Sequence, residues 1–156
     1  MKKLLVLIFA TLFLAQPLFS AGYGSSDTSS SGSRGNDKKV DPFANIHKLI
    51  NLEKFSEAHD ALKLLKVPTK QADKFNLLGF TARKSGDLEN ANGYYLKALE
   101  INPKHVRALE YQGELFLQLG KVADAKLNLE KIQRICWLPC SAEKQLQEAI
   151  ELALKN

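Results

Sequence analysis

Cys136 and Cys140 are the only two cysteines in the chain, and they stand four residues apart around Trp137, Leu138 and Pro139. Such a pair can close a disulfide, relay electrons or supply part of a metal site. In an oxidising compartment an even pair points to a structural disulfide. The sharper alternative is a small periplasmic thiol-disulfide protein, because a cysteine just before a helix N-terminus has its thiolate favoured by the helix dipole. The spacing is not the two-residue one of thioredoxin-like motifs, which weighs against that reading. Zinc would need further ligands, and His47, His59 and His105 fall in separate segments, so no metal is expected. No HExxH arrangement, Gly-x-Ser-x-Gly elbow or Ser-His-Asp set stands out. No catalytic residue is therefore assigned, no cofactor is expected, and the chain reads as a non-enzyme.

The compartment follows from the first residues. Lys2 and Lys3 precede an apolar run from Leu4 to Ala15, followed by Pro17 and the small residues Ser20, Ala21 and Gly22. This is the pattern of a secretory signal peptide over residues 1–21. The run is well short of the roughly 20 apolar residues that a spanning helix needs, so no stable membrane anchor is expected after cleavage. No cysteine near the cut could carry a lipid, so the expected location is periplasmic or secreted. Loss of Lys2 and Lys3 would lower the net charge of +5 by two, leaving a mildly basic chain. Its cations are interspersed with Glu and Asp along helical segments, the pattern of solvated helix faces, so no nucleic-acid partner is expected. A mean hydropathy of -0.21 argues against an integral membrane protein.

Residues 22–40 open with GYGSSDTSSSGSRGND, which has almost nothing apolar to bury against the entropy of ordering. They read as a disordered linker. Its glycines follow no apolar strand and precede no Gly-Lys-Ser/Thr, so the linker reading outweighs a phosphate loop. Asp41-Pro42 then looks like a helix start, with Asp as N-cap and Pro where its missing donor is harmless. From there apolar residues recur at helical spacing, and no stretch alternates like a strand. Breaks at Asn51 to Lys54, Val67 to Thr69, Gly86-Asp87, Asn102 to Lys104, Gly120-Lys121 and Cys136 to Cys140 predict seven helices.

A shift of 34 residues pairs Phe75 with Leu109, Gly79 with Gly113, Ala82 with Phe116, Gly86 with Gly120, Leu88 with Val122, Ala91 with Ala125 and Ala98 with Ile132. Each matched small residue has a physical reason. Gly79 and Gly113 would sit where two helices touch, Gly86 and Gly120 would end a helix in a left-handed conformation, and Ala91 and Ala125 would let the returning helix approach.

Phe75, Leu78-Gly79, Ala82, Gly86, Ala91, Tyr95, Ala98 and Pro103 resemble a tetratricopeptide repeat. The next copy is similar at Leu109, Gly113, Phe116, Gly120, Ala125 and Ile132, but departs with Gln112 for the apolar residue and Trp137 for the proline. An earlier copy, offset by 33, resembles it at Ile46, Leu49, Phe55, Ala58, Leu62 and Leu65 and lacks both glycines. The resemblance implies an all-α fold: a short right-handed solenoid of about three helical hairpins over 41–156, with repeats at about 39–71, 72–105 and 106–139. The stretch 141–155 begins at a good N-cap, Ser141, and carries Ala142, Leu146, Ala149, Ile150 and Ala153 at helical spacing, as expected of a capping helix.

The resemblance also implies where a partner would lie. In the helix over 72–85, Phe75, Leu78, Gly79 and Ala82 form the packing face, and Asn76, Phe80, Arg83 and Lys84 point away from it. The first helix of each hairpin lines the concave surface in this family, which implies the same for Arg107, Glu110, Tyr111, Glu114 and Gln118. Phe80 and Tyr111 could anchor a protein or peptide, with Arg83, Lys84 and Arg107 offering donors to carboxylates. The alternative is that both rings merely pack against the first repeat or the capping helix. They also stand where the family's carboxylate-clamp pattern wants Asn or a cation, so recognition of a chaperone-type C-terminal tail is not expected. Self-association is possible, since three repeats leave an open end.

Overall fold

The computed structural model describes residues 41–155. The expected signal peptide and linker, 1–40, lie outside the described residues. Within them the chain forms α1 (Ala44–Asn51), α2 (Phe55–Leu64), a 3₁₀ turn (Pro68–Lys70), α3 (Gln71–Lys84), α4 (Leu88–Ile101), α5 (Val106–Gln118), α6 (Val122–Ile135) and α7 (Ser141–Ala153). No strand occurs among the described residues. The helices pack as consecutive hairpins: α1 on α2, α3 on α4, α5 on α6, with α3, α5 and α7 side by side.

The hairpin turns are the expected glycine turns. Gly86 and Gly120 have φ of +85° and +70°, and the residue after each returns a hydrogen bond into the last helical turn, Asp87 N to Ala82 O at 2.9 Å and Lys121 N to Phe116 O at 2.8 Å. The first hairpin lacks the glycine and makes the same turn anyway. Glu53 takes its place with φ +56°, and Lys54 N donates to Leu49 O at 2.9 Å. Thirty-three residues separate Glu53 from Gly86, so the backbone repeats where the residue type does not.

The core runs along the stack. Phe43, Ile46, Ala58, Leu62, Val67 and Leu78 form its first segment, Ala82, Ala91, Tyr95 and Leu115 its middle, and Leu109, Ala125, Ile132, Leu146 and Ile150 its last. Removing a side chain such as Leu62 or Leu146 from water contributes roughly 1.5–3 kcal/mol. Gln112, the departure from the apolar pattern, is buried within a side-chain network. Its Nε2 donates to Asn92 Oδ1 at 3.1 Å, and its Oε1 accepts from Asn128 Nδ2 at 3.0 Å. Asn128 Nδ2 also donates to Leu109 O at 3.1 Å, so both buried amides are partnered.

Two local expectations differ. Asp41 stands ahead of α1 rather than at its N-cap. Its Oδ1 accepts from Phe43 N at 3.1 Å, and helix begins at Ala44 because Pro42 and Phe43 are used in the turn. Ser141 is the first residue of α7, and its hydroxyl faces Arg107 Nη2 at 3.4 Å instead of capping. Gly79 and Gly113 both sit where two helices touch, as expected: an added Cβ at Gly79 would fall 2.6 Å from Tyr95 Cε1 of its own hairpin, and one at Gly113 the same 2.6 Å from Leu146 of α7. The close approach moves to α7 because α7 lies against α5 and sends a leucine into the space above Gly113.

Cys136 and Cys140 are joined as a disulfide, with a Cα–Cα distance of 6.2 Å. The bridge connects the end of α6 to the start of α7. A loop this short stabilises by about 2 kcal/mol in the chain-entropy account, so its larger effect is to hold the angle at which α7 enters.

Candidate partner-binding groove

Helices α3, α5 and α7 stand side by side, and two hollows open along them. One, about 360 Å³, is lined by Arg83, Glu114, Leu117, Gln118, Ala149, Leu152 and Ala153, from the C-terminal halves of α3, α5 and α7. The other, about 260 Å³, lies at the opposite ends of α1, α3 and α5, with Phe43, His47, Lys70, Asn76, His105 and Arg107 among its walls.

An aromatic row lies on this side. The rings of Phe55 and Phe80 are 6.2 Å apart, and Phe80 and Tyr111 5.0 Å apart. Lys84 Nζ sits over both Phe55 and Phe80, at 6.0 and 5.8 Å, and the Arg83 guanidinium is 5.8 Å from Phe80. Phe80 thus packs on the first repeat through Phe55. Phe80 and Tyr111 nevertheless keep part of their surface in solvent.

Of the residues the sequence placed on this surface, Lys84 and Arg107 are exposed and Phe80, Tyr111 and Glu114 are half-buried. Asn76, Arg83 and Glu110 are buried, at 6%, 6% and 1% exposure. The side-by-side packing of α3 on α5 covers them. Arg83 Nη2 donates to Glu114 Oε2 between the two helices, while its Nε has no partner. Arg107 Nη1 donates at 2.8 Å both to Glu110 Oε2 on its own helix and to Gln145 Oε1 on α7. Burial pushes the Glu110 carboxyl up, and the Arg107 hydrogen bond pulls it part of the way back. Burial likewise raises the Tyr111 phenol, with Glu110 adding to the shift. Asn76 Oδ1 is a buried acceptor with no partner, beside the smaller hollow. His105 caps α5, its Nδ1 accepting from Ala108 N at 3.1 Å. That fixes the proton on Nε2, which faces Asp73 Oδ1 at 3.1 Å.

This surface can hold an extended or helical segment through apolar and aromatic contact, with a few fixed polar groups. Among the described residues, no cluster of His, Cys, Asp or Glu is placed to hold a metal ion. The sequence reading missed Leu117 and the contribution of α7, because Ala149 and Ala153 read as core positions. Their spacing from Leu146 and Ile150 was the available signal, since Ala149 and Ala153 fall to one side of that pair.

A tetratricopeptide-repeat profile matches residues 94–126, which run from within α4 through α5 into α6. A TPR repeat-containing protein of Borreliella burgdorferi is 32% identical over 133 residues, covering 84% of this chain and 56% of that protein. The chain belongs to the tetratricopeptide-repeat family. It matches only a little over half the length of that relative. In fold, the repeats are similar to the Yersinia enterocolitica type III secretion chaperone SycD, solved in complex with a peptide of the translocator YopD. The TM-score is 0.60 at 21% identity, with 77% of this chain and 95% of the SycD chain covered.

Proposed function

We propose that this tetratricopeptide-repeat chain is an exported scaffold or adaptor of the cell envelope, periplasmic or secreted, that holds a protein or peptide partner in its groove and carries out no chemistry. The observation that carries the reading is the half-exposed aromatic row of Phe80 and Tyr111, one helical turn from Arg83 and Glu114 in the wall of an open hollow of about 360 Å³. Large rings left partly in water next to a concavity are what hot-spot contacts are made of. The peptide bound to SycD, a chain of similar fold, supports a partner of the same kind. Asn76, with a buried acceptor and no partner of its own, is suited to a main-chain amide of that segment. The signal-peptide pattern of residues 1–21 supports export.

The test is affinity capture from envelope extract, comparing the wild type with a Phe80→Ala/Tyr111→Ala double variant whose helicity is checked by circular dichroism. The variant should lose its captured partner, with affinity down at least about tenfold, the equivalent of 1.4 kcal/mol. Identical partners recovered by both proteins would refute the groove assignment.

A further inference from the structure

Trp137 is the only tryptophan in the chain, and it is 96% exposed, with Leu138 beside it at 72%. Both sit in the loop closed by the Cys136–Cys140 disulfide. The carbonyls of Trp137, Leu138 and Pro139 accept no hydrogen bond from the described backbone. A disulfide-closed loop with a proline loses little freedom on docking, and tryptophan is enriched among the residues that dominate interfaces. The loop is an anchor held ready with nothing of its own chain upon it.

A matching slot exists in the same molecule. The larger groove hollow has an apolar wall of Leu117, Ala149 and Ala153, with Glu114 and Gln118 at its edge. Its volume of about 360 Å³, near the lower end of small-ligand sites, suits one large side chain. An indole brings an apolar body and one N–H donor, and Glu114 and Gln118 offer acceptors. Charge agrees in sign: around the loop Lys131, Arg134 and Lys144 outnumber Glu130 and Glu143, and around the slot residues of α7 Glu148 and Glu151 outnumber Lys155.

The loop cannot reach its own slot. It enters α7 at Ser141, and the slot lies around Ala149 and Ala153, about 15 Å further along the same rigid helix at 1.5 Å per residue. We propose that the Trp137–Leu138 loop of one copy seats in the Leu117/Ala149/Ala153 slot of a second copy, a head-to-tail contact between molecules. This deepens the groove reading and rests on that surface being open for binding.

The test uses a disulfide-closed peptide of residues 135–141 as probe and the full Trp137→Ala chain as receptor. That chain contains no tryptophan, so all indole emission comes from the peptide. The expected result is a saturable shift of emission to shorter wavelength, abolished by adding Leu117→Arg or, independently, Ala149→Glu to the receptor. In parallel, the mass of the wild type by light scattering should rise with concentration, while that of the Trp137→Ala chain should not. The proposal is overturned if the peptide emission does not move, if the shift survives both slot variants, or if Trp137→Ala associates like the wild type. A shift seen with phosphatidylglycerol vesicles and not with protein would overturn it in favour of a lipid surface. Its failure is separable from failure of the groove reading, which is scored by partner capture with Phe80 and Tyr111 and does not involve Trp137.

Discussion

Gly79 and Gly93 are both helical glycines in one hairpin, and the structure predicts opposite outcomes for the same substitution. A Cβ at Gly79 would lie 2.6 Å from Tyr95 Cε1 and 2.7 Å from Cδ1, whereas a Cβ at Gly93 meets nothing within 4 Å. Tyr95 is fully buried, so its ring has nowhere to retreat. Alanine in place of a helical glycine gains about 0.5–1 kcal/mol from the backbone, and Gly93→Ala should realise that gain. For Gly79→Ala the same gain is set against overpacking of about 1–3 kcal/mol, giving a net loss of about 1 kcal/mol. For a domain of this size each kcal/mol moves the melting temperature by roughly 4 °C. Thermal denaturation followed by circular dichroism should therefore place the two variants on opposite sides of the wild type. In a Tyr95→Leu background, Gly79→Ala should become neutral or stabilising, a coupling above about 0.5 kcal/mol. Equal stabilisation by both glycine substitutions would refute the contact, and with it the register of α3 on α4.

Glu53→Gly should stabilise by about 1 kcal/mol in urea unfolding, because Glu53 holds φ +56°, which costs a residue with a Cβ roughly that amount. A destabilised variant would mean that the first turn is not the left-handed one. Glu110 supplies a pH signature. Burial holds its folded-state carboxyl above the ordinary value, so its contribution to stability is full below the unfolded pKa and is lost as pH rises through the folded one. Glu110→Gln does not titrate, so its stability should improve relative to wild type as pH rises from acid to neutral. A difference that does not change with pH would contradict the assignment.

Helix ends were legible where a residue type is forced by the backbone. Gly86 and Gly120 mark turns because the left-handed backbone there, φ +85° and +70°, disfavours most side chains, and Gly79 and Gly113 mark contacts because nothing larger fits. Glu53 escapes this logic, since a polar residue can occupy the left-handed turn at a modest cost, and only the spacing to Gly86 betrays it. The side chains of the groove were legible by position and not by burial. Asn76, Arg83 and Glu110 are polar residues on the side of their helices away from the hairpin core, which suggests solvent. Their burial is decided by the neighbouring first helix, a contact between residues distant in sequence. Arg83 and Glu114 are separated by 31 residues, and Arg107 and Ser141 by 34. A repeat of about 34 residues makes such pairs recur, so the period itself holds the cross-repeat information that helix-by-helix patterning discards.

That cross-repeat pairing also shapes what the proposed groove can recognise. Arg83 is neutralised by Glu114, and Arg107 by Glu110, so two of the cations expected to attract carboxylates already have carboxylate partners in the chain. Drawing buried Arg83 away would break its pair with half-buried Glu114, and drawing Arg107 away would leave Glu110 charged and unpaired inside the stack, both expensive. The Arg83–Glu114 pair therefore acts as a strut between α3 and α5, and the Arg107 hydrogen bond to Gln145 ties α5 to α7, which together fix the width of the hollow between them. In the proposed groove, selection of a partner would fall to the rings of Phe80 and Tyr111, the apolar wall of Leu117, Ala149 and Ala153, and the exposed ammonium of Lys84. A groove built this way discriminates by shape and apolar fit, and charge enters mainly through the rigidity it lends to the walls.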